Sequence, residues 1–345
     1  MGFRLLGSAL AIDLGTANTR VWARNGQPVV RQASAVAYIA GRGRHVAVGA
    51  EARDLAQRQA QNIDIVEPVR RGAIADFGAT VAMLRVYLRQ AMAQRSVFSP
   101  AAVVSAPVET TGVAYRALRD ALRAAGLSRV YPLPKSLAAA VGAGLPLDHP
   151  ESVLVIDLGA GVTEIAVVAR GMVTAGYSMA FGGVDLDEAV RRYLWRTVGL
   201  QLSRPAAEDV KIRVGAVDPA LAGNSMDLSA LAPPGVEAKV SASELAGVLA
   251  EALEPLVDQA LWTVEQLAPK QREELAVNGG LLTGGGALLR GLPELLTSRL
   301  GIRLVVADDP LSATVLGLGA IASDIKNMAF DEGRLLRMGL RGWHP

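Results

Sequence analysis

The stretches Ala9-Leu-Ala-Ile-Asp-Leu-Gly-Thr16 and Val153-Leu-Val-Ile-Asp-Leu-Gly-Ala-Gly-Val-Thr163 carry one design twice. Each is a short apolar run that ends in an aspartate, turns through glycine beside a threonine, and enters a second apolar run, at 19–23 and 165–168. Apolar runs of this length, bounded by turn residues, read as buried strands, so each copy predicts a β-hairpin. The turn aims backbone N–H groups and hydroxyls at one point, where they can cradle phosphate. The strand fixes a carboxylate, Asp13 or Asp157, where it can hold the waters of a magnesium ion. The two aspartates lie 157 − 13 = 144 positions apart. That spacing predicts two similar halves whose hairpins grip a nucleotide's phosphate tail from both sides.

Composition supports a large folded unit. A chain of 345 residues is long enough for two domains or one bilobal body. With 51% apolar and 20% charged residues it has the material for a packed interior, and only 4% aromatics make that interior aliphatic. The absence of cysteine excludes disulfides, thiolate zinc sites and cysteine nucleophiles. His45, His149 and His344 are scattered, so any metal is expected to take oxygen ligands. A net charge of +2 without a basic block argues against a nucleic-acid partner. No apolar run approaches the roughly 20 residues needed to cross a bilayer, and residues 1–10 lack the pattern of a secretory signal. The expected location is cytoplasmic.

From the first hairpin outward, strands are expected at 29–39 and 45–49, then helices at 51–61 and 79–94. A buried strand at 101–106 is ended by Pro107, and an amphipathic helix at 111–125 is closed by Gly126. A short strand at 130–133 leads to a small-residue helix at 136–143. After the second hairpin come a strand at 172–179 and helices at 186–198 and 205–215. Ser241 and Glu244 form a capping box that opens a long helix interrupted at Pro255. A strand at 279–283 empties into Gly284-Gly285-Gly286, with a helix from 287 and a last apolar helix at 312–326. Strands alternating with helices in both halves give the α/β class.

Three further motifs fit a nucleotide. Gly284, Gly285 and Gly286, between strand and helix, would let a flat purine approach the backbone, although a triple glycine also serves as a plain turn. The pair Gly182-Gly183 ahead of Asp185 and Asp187 is similar in kind. Glu208 and Lys211 share a helix face and could hold ribose hydroxyls or form a solvated ion pair. Neither a P-loop nor a G-x-G-x-x-G fingerprint is present, which disfavours P-loop NTPases and Rossmann dehydrogenases.

Taken together, these residues resemble the actin superfamily, which also holds sugar kinases and heat-shock chaperone ATPases, and within it the MreB family of bacterial actins. Residues 11–19, Ala-Ile-Asp-Leu-Gly-Thr-Ala-Asn-Thr, look like that family's first phosphate motif. The segments 72–77, 138–145, 211–215 and 282–291 are similar to further landmarks. The resemblance implies an actin-like two-lobed ATPase fold of duplicated RNase H-like domains with smaller inserted subdomains, closing on ATP and magnesium. The first lobe would span 1–146, with its smaller subdomain at about 29–75, completed by about 316–345. The second would span 147–315, with its smaller subdomain at about 184–256. By position, Asp13 and Asp157 would organise magnesium through water. Gly15, Thr16, Ala17 and Asn18, with Gly159, Ala160, Gly161 and Thr163, would surround the phosphates, and Gly183 would be a further nucleotide contact. Glu208 and Lys211 would meet the ribose, and Gly284, Gly285 and Gly286 the purine.

The departures from the family pattern bear on turnover. Lys135 stands where relatives carry the glutamate that positions the attacking water. An ammonium has donors only and cannot do this, but it can pair with a terminal phosphate. The second phosphate loop reads Gly159-Ala-Gly-Val-Thr163 where Gly-Gly-Gly-Thr-Thr is usual, and Val184 replaces an aspartate. The resemblance further implies head-to-tail homopolymers beneath the inner face of the cytoplasmic membrane, working with cell-wall elongation proteins. Phe3, Leu5, Leu6, Val97 and Phe98 would touch the bilayer. ATP binding with weak or no hydrolysis is therefore the expectation. The alternatives are a non-polymerising ATP-binding scaffold of an envelope machine or, with less support, a small-molecule kinase.

Overall fold

Both hairpins form, each at the centre of its own five-stranded sheet. The computed structural model describes residues 10–23, 28–41, 43, 45–58, 60–92, 99–221, 225–232 and 238–327. In the first half β1 (Leu10–Leu14) pairs antiparallel with β2 (Asn18–Trp22), and β2 with β3 (Pro28–Ala33). The strand expected over 29–39 divides here. Ser34 donates its N–H to Ala17 O (2.9 Å) and its hydroxyl to Gly15 O (2.7 Å), which pins the chain to the hairpin turn. The next strand, β4 (Val36–Ile39), therefore joins a separate three-stranded sheet, between β5 (His45–Val48) and β6 (Ile63–Val66), with α1 (Ala50–Gln57) following β5.

A two-residue turn at Arg71-Gly72 joins β7 (Val69–Arg70) to β8 (Ala73–Ile74), both turn residues having positive φ (49° and 75°). α2 (Phe77–Ala91) starts where the Asp76 carboxylate accepts the Ala79 N–H. β9 (Ala101–Ala106) runs parallel to β1, α3 (Gly112–Ala124) is capped by Thr111, and β10 (Arg129–Pro134) leads directly into α4 (Lys135–Gly142). The first sheet has the order β3-β2-β1-β9-β10.

The second half repeats this order. β11 (Val153–Leu158), β12 (Thr163–Ala169) and β13 (Met172–Met179) form an antiparallel meander. Next come α5 (Gly183–Val198), α6 (Arg204–Val214), the small hairpin β14 (Ser225–Asp227) with β15 (Lys239–Ser241), α7 (Ala242–Glu265) and α8 (Pro269–Asn278). β16 (Gly280–Thr283) lies parallel to β11, and after α9 (Leu292–Leu300) β17 (Leu304–Val306) adds the edge, giving β13-β12-β11-β16-β17.

Two expectations give way to packing. α7 runs unbroken through Pro255, because Leu249, Leu253, Leu256 and Val257 are fully buried. That apolar face outweighs the roughly 3 kcal/mol of an interior proline. The helix expected from 287 is a 3₁₀ turn over Gly285–Leu288, and α9 starts only after Gly291. Arg290 is held in a parallel bridge with Ala216, and its carbonyl accepts the Val217 N–H (2.9 Å), so the chain stays extended there. The edge strand β17 and helix α8 were not expected; β17 is too short, and α8 too polar, for a periodicity signal.

The closing helix α10 (Ala313–Asn327) lies against α4 between the two sheets. Their shared core joins Ala11, Val103 and Leu133 of the first sheet to Val155 and Val168 of the second, through Leu137, Ala138, Val315 and Leu318. The helices touch backbone to backbone. A side chain on Gly142 would collide with Ala313 O, and one on Gly317 with Ala138 O.

Candidate functional site

The two hairpin turns are built alike. Gly15 N–H donates to Asn18 O at 3.1 Å and Gly159 N–H to Val162 O at 3.0 Å, at positions exactly one repeat apart. A Cβ built on either glycine would lie 2.7 Å from that same carbonyl, so only glycine closes the turn. The turns also meet each other. A Cβ on Gly161 would stand 2.7 Å from Thr16 Oγ1, so the loops expected to cradle phosphate are in contact.

Asp13 and Asp157 occupy equivalent places on β1 and β11, and both are buried. Asp13 Oδ1 accepts the Ser105 hydroxyl (2.8 Å), and Arg20 stands 3.9 Å from Oδ2. Asp157 Oδ1 accepts the Thr283 hydroxyl (3.1 Å), and Lys135 Nζ lies only 2.6 Å from Oδ2. Burial works against the charged Lys135, but Asp157, Asp13 and Glu164 together hold its pKa above the ordinary lysine value. The residue that sequence reasoning missed is Glu164, the cross-strand partner of Asp157. It is fully buried and accepts the N–H groups of Val108 and Ser136, both at 2.9 Å, thereby tying the first turn of α4 to β12. Burial raises its carboxyl to about 7, against the opposing pull of Lys135.

Other expected site residues have partners within the protein. The Thr163 hydroxyl donates to Phe181 O (2.9 Å) in a buried position. Gly183 N–H donates to Gly159 O (2.9 Å) and Val184 N–H to Ala160 O (2.8 Å), so the N-terminus of α5 is docked on the second phosphate turn. Lys211 Nζ binds Gly183 O (3.0 Å) and Asp187 Oδ1 (2.6 Å). Burial raises the Asp187 carboxyl, with Lys211 opposing. Val162 packs on the β7–β8 turn, where a Cβ on Gly72 would be 2.8 Å from its methyl. Gly284 has φ +80°, and a Cβ there would come 2.7 Å from Asp157 Oδ1, placing this glycine against the second carboxylate. Gly286 is pressed onto Leu158, while Gly285 has room.

Three arginine pairs join the two halves. Arg53 donates to Glu208 Oε2 (2.9 Å), and Arg204 to Glu67 Oε1 (3.0 Å). Arg71, presented by its tight turn, makes two 2.8 Å bonds to Asp185 and another to Ala180 O. Glu208 thus faces an arginine of the opposite half, which its spacing from Lys211 could not reveal. Ala17 and Asn18 supply backbone to the first turn, Ala17 O receiving Ser34 and Asn18 O receiving Gly15. Phe3, Leu5, Leu6, Val97 and Phe98 lie outside the described residues. Among those described, no group of three or more His, Cys, Asp or Glu is arranged for a metal ion, and no helix is long and apolar enough to cross a membrane.

A family model described as MreB/Mbl protein matches residues 7–330. The cell shape-determining protein MreB of Escherichia coli K12 is 35% identical over 320 residues, covering 90% of this chain and 92% of that protein. The Mbl protein of Bacillus subtilis 168 is 30% identical over 324 residues, covering 92% and 97%. Among solved structures, MreB5 of Spiroplasma citri bound to AMPPNP superposes with a TM-score of 0.87 at 25% identity, over 93% of this chain and 98% of that one. The subunit of the MamK double helical filament, at 19% identity and a TM-score of 0.79, over 92% and 98%, shares the fold.

Proposed function

The chain belongs to the MreB/Mbl family of cell shape-determining, actin-like proteins, and from that premise we propose that it binds ATP between its two hairpins and polymerises on the membrane with little or no ATP hydrolysis. The observation that carries nucleotide binding is the meeting of the twin glycine turns, Thr16 against Gly161, each with a buried aspartate two residues before its first glycine. Relatives crystallised with AMPPNP and ADP support nucleotide binding. Gly15, Thr16, Ala17 and Asn18 with Gly159, Ala160 and Gly161 line the phosphates in this reading, and Gly284 and Gly285 the base. Self-association into filaments and the control of rod shape and wall growth follow the family. The lobes are those bounded at 146–147, with the chain after about 316 returning to the first. Phe3, Leu5, Leu6, Val97 and Phe98 are the proposed membrane contacts.

Weak turnover follows from Lys135. Hydrolysis needs an acceptor that orients the attacking water. At this position the chain offers an ammonium already committed to Asp157. The implied magnesium fits the same residues poorly. Both Asp157 oxygens are engaged, and a divalent ion there would face the ammonium. Like unit charges about 4 Å apart repel by roughly 4 kcal/mol at an effective dielectric of 20, and a divalent ion doubles that.

Electron microscopy of the full chain with ATP on anionic vesicles, with phosphate release followed in parallel, tests the proposal. Filaments on lipid with phosphate release at least about tenfold below that of active relatives support it. Release at their rate removes the reduced-turnover part. Failure to form filaments at any nucleotide concentration replaces it with the non-polymerising scaffold.

A further inference from the structure

We propose that Lys135 is a built-in counter-ion of the nucleotide site: its ammonium takes the place of the divalent metal, and the chain holds a nucleoside triphosphate's phosphate tail without magnesium. This rests on the nucleotide-binding reading above and names the cation that reading leaves open.

Position is the first ground. Lys135 opens α4, directly after β10, and its Nζ reaches Asp157 Oδ2 at 2.6 Å. The same nitrogen is 3.4 Å from where a Cβ on Gly159 would stand, so the ammonium lies beside the second phosphate turn. The carboxylate it neutralises is one of the two that would otherwise hold the waters of a metal.

Charge balance is the second. Asp157 has Glu164 as its cross-strand partner, and Gly284 brings the base-side glycines against the same carboxylate. An acidic centre of this kind repels polyphosphate unless a cation is present. In the first hairpin Arg20 plays that part toward Asp13 from the neighbouring strand. In the second hairpin the cation comes from α4.

Donor geometry is the third. An ammonium carries three N–H donors and no acceptor. Nζ is ion-paired to Asp157 Oδ2, and no hydrogen bond of Nζ to another group is present among the described residues. The side chain keeps one-fifth of its surface exposed, which leaves donors for phosphate oxygens. A lysine serves as a point charge for phosphate in other nucleotide sites.

The experiment is equilibrium titration of the full chain with a fluorescent N-methylanthraniloyl ATP, once with magnesium chloride and once with EDTA, paired with thermal melts in both media. The expected result is a Kd that differs by less than about threefold between the media, with the nucleotide raising the melting temperature equally in each. Lys135→Glu is expected to lose at least about tenfold in affinity in EDTA and to recover it with magnesium, since a divalent ion then becomes the dominant local charge. Lys135→Gln, which cannot recruit a metal as strongly, should bind weakly in both. Wild-type binding that needs magnesium by tenfold or more overturns the proposal, as does Lys135→Glu binding unchanged in EDTA. If neither glutamate nor glutamine variant folds, the wild-type comparison alone decides. Absence of binding by the wild-type chain in both media overturns the nucleotide reading itself, and this inference with it.

Discussion

The hairpin at Asp13 and the hairpin at Asp157 share a backbone and differ in charge. Their turns close with hydrogen bonds of 3.1 and 3.0 Å, and their glycines meet the same carbonyl at the same distance. Across from the aspartate, the first copy places Arg20 and the second Glu164. The first is therefore balanced within its own sheet. The second needs a cation from elsewhere, and α4 delivers one in Lys135. A duplicated scaffold keeps its turns because backbone geometry leaves no choice, whereas the side chains beside them are free to diverge as long as the buried charge is compensated.

The sharpest way to break the comparison is to remove each aspartate in turn. Asp157→Asn leaves Lys135 beside a neutral amide, with Glu164 as its remaining close buried carboxyl. We expect a loss of roughly 2–4 kcal/mol in urea unfolding, reduced from the full cost of an orphaned buried charge because the lysine is partly exposed. Asp13→Asn retains the Ser105 contact, loosens a 3.9 Å ion pair and removes a secondary pull on Lys135, so about 1 kcal/mol is expected. Equal losses would mean that the two hairpins are electrostatically alike.

Glu164 gives the second test. Its carboxyl is raised to about 7 from 4.5 by burial. A carboxyl whose folded pKa lies above its unfolded one favours the native state fully below the unfolded value. That contribution is lost as pH rises through the folded value. Stability should therefore fall between about pH 4.5 and 7, by about 3 kcal/mol at most for a shift of this size. Glu164→Gln should flatten this slope in pH-dependent denaturation. The first hairpin, with Arg20 at the equivalent place, has no such group, so a slope that survives the substitution would locate its origin elsewhere.

The smallest effect is expected furthest from the hairpins. Arg71→Ala removes the two bonds to Asp185 and the one to Ala180 O. With the guanidinium nearly half exposed, the cost should be about 0.5–1 kcal/mol and should shrink in high salt. Its readout is the salt dependence of the melting temperature, which should lessen in the variant.

The sheets and both turns were legible in the sequence because a buried strand leaves a continuous apolar run and a tight turn leaves glycine. The match at 101–106 and at 172–179 is of that kind. Ser34 hid the split of β3 from β4, since the bonds that divide them reach back to residues 15 and 17. Pro255 misled for the opposite reason: a local breaker was outvoted by a buried face. At the site, the importance of position 135 was readable from the family pattern, but its partner was not. Lys135 and Asp157 are 22 positions apart and meet only because β10 and β11 belong to different sheets joined by α4. Glu164 stands between Thr163 and the apolar run 165–168, and nothing local signals its burial.

The contact of α4 with α10 has a mechanical consequence. Helices that meet backbone to backbone, as Gly142 does with Ala313 O and Gly317 with Ala138 O, leave no slack between them. At its other end α4 is tied to β12, where Glu164 accepts the Ser136 N–H. The helix is thus a strut pinned near both ends, and Lys135 at its head is held in register with the sheet that carries Asp157. A methyl added at either glycine would push the whole strut, so a change far from the phosphate turns would be felt at the ammonium.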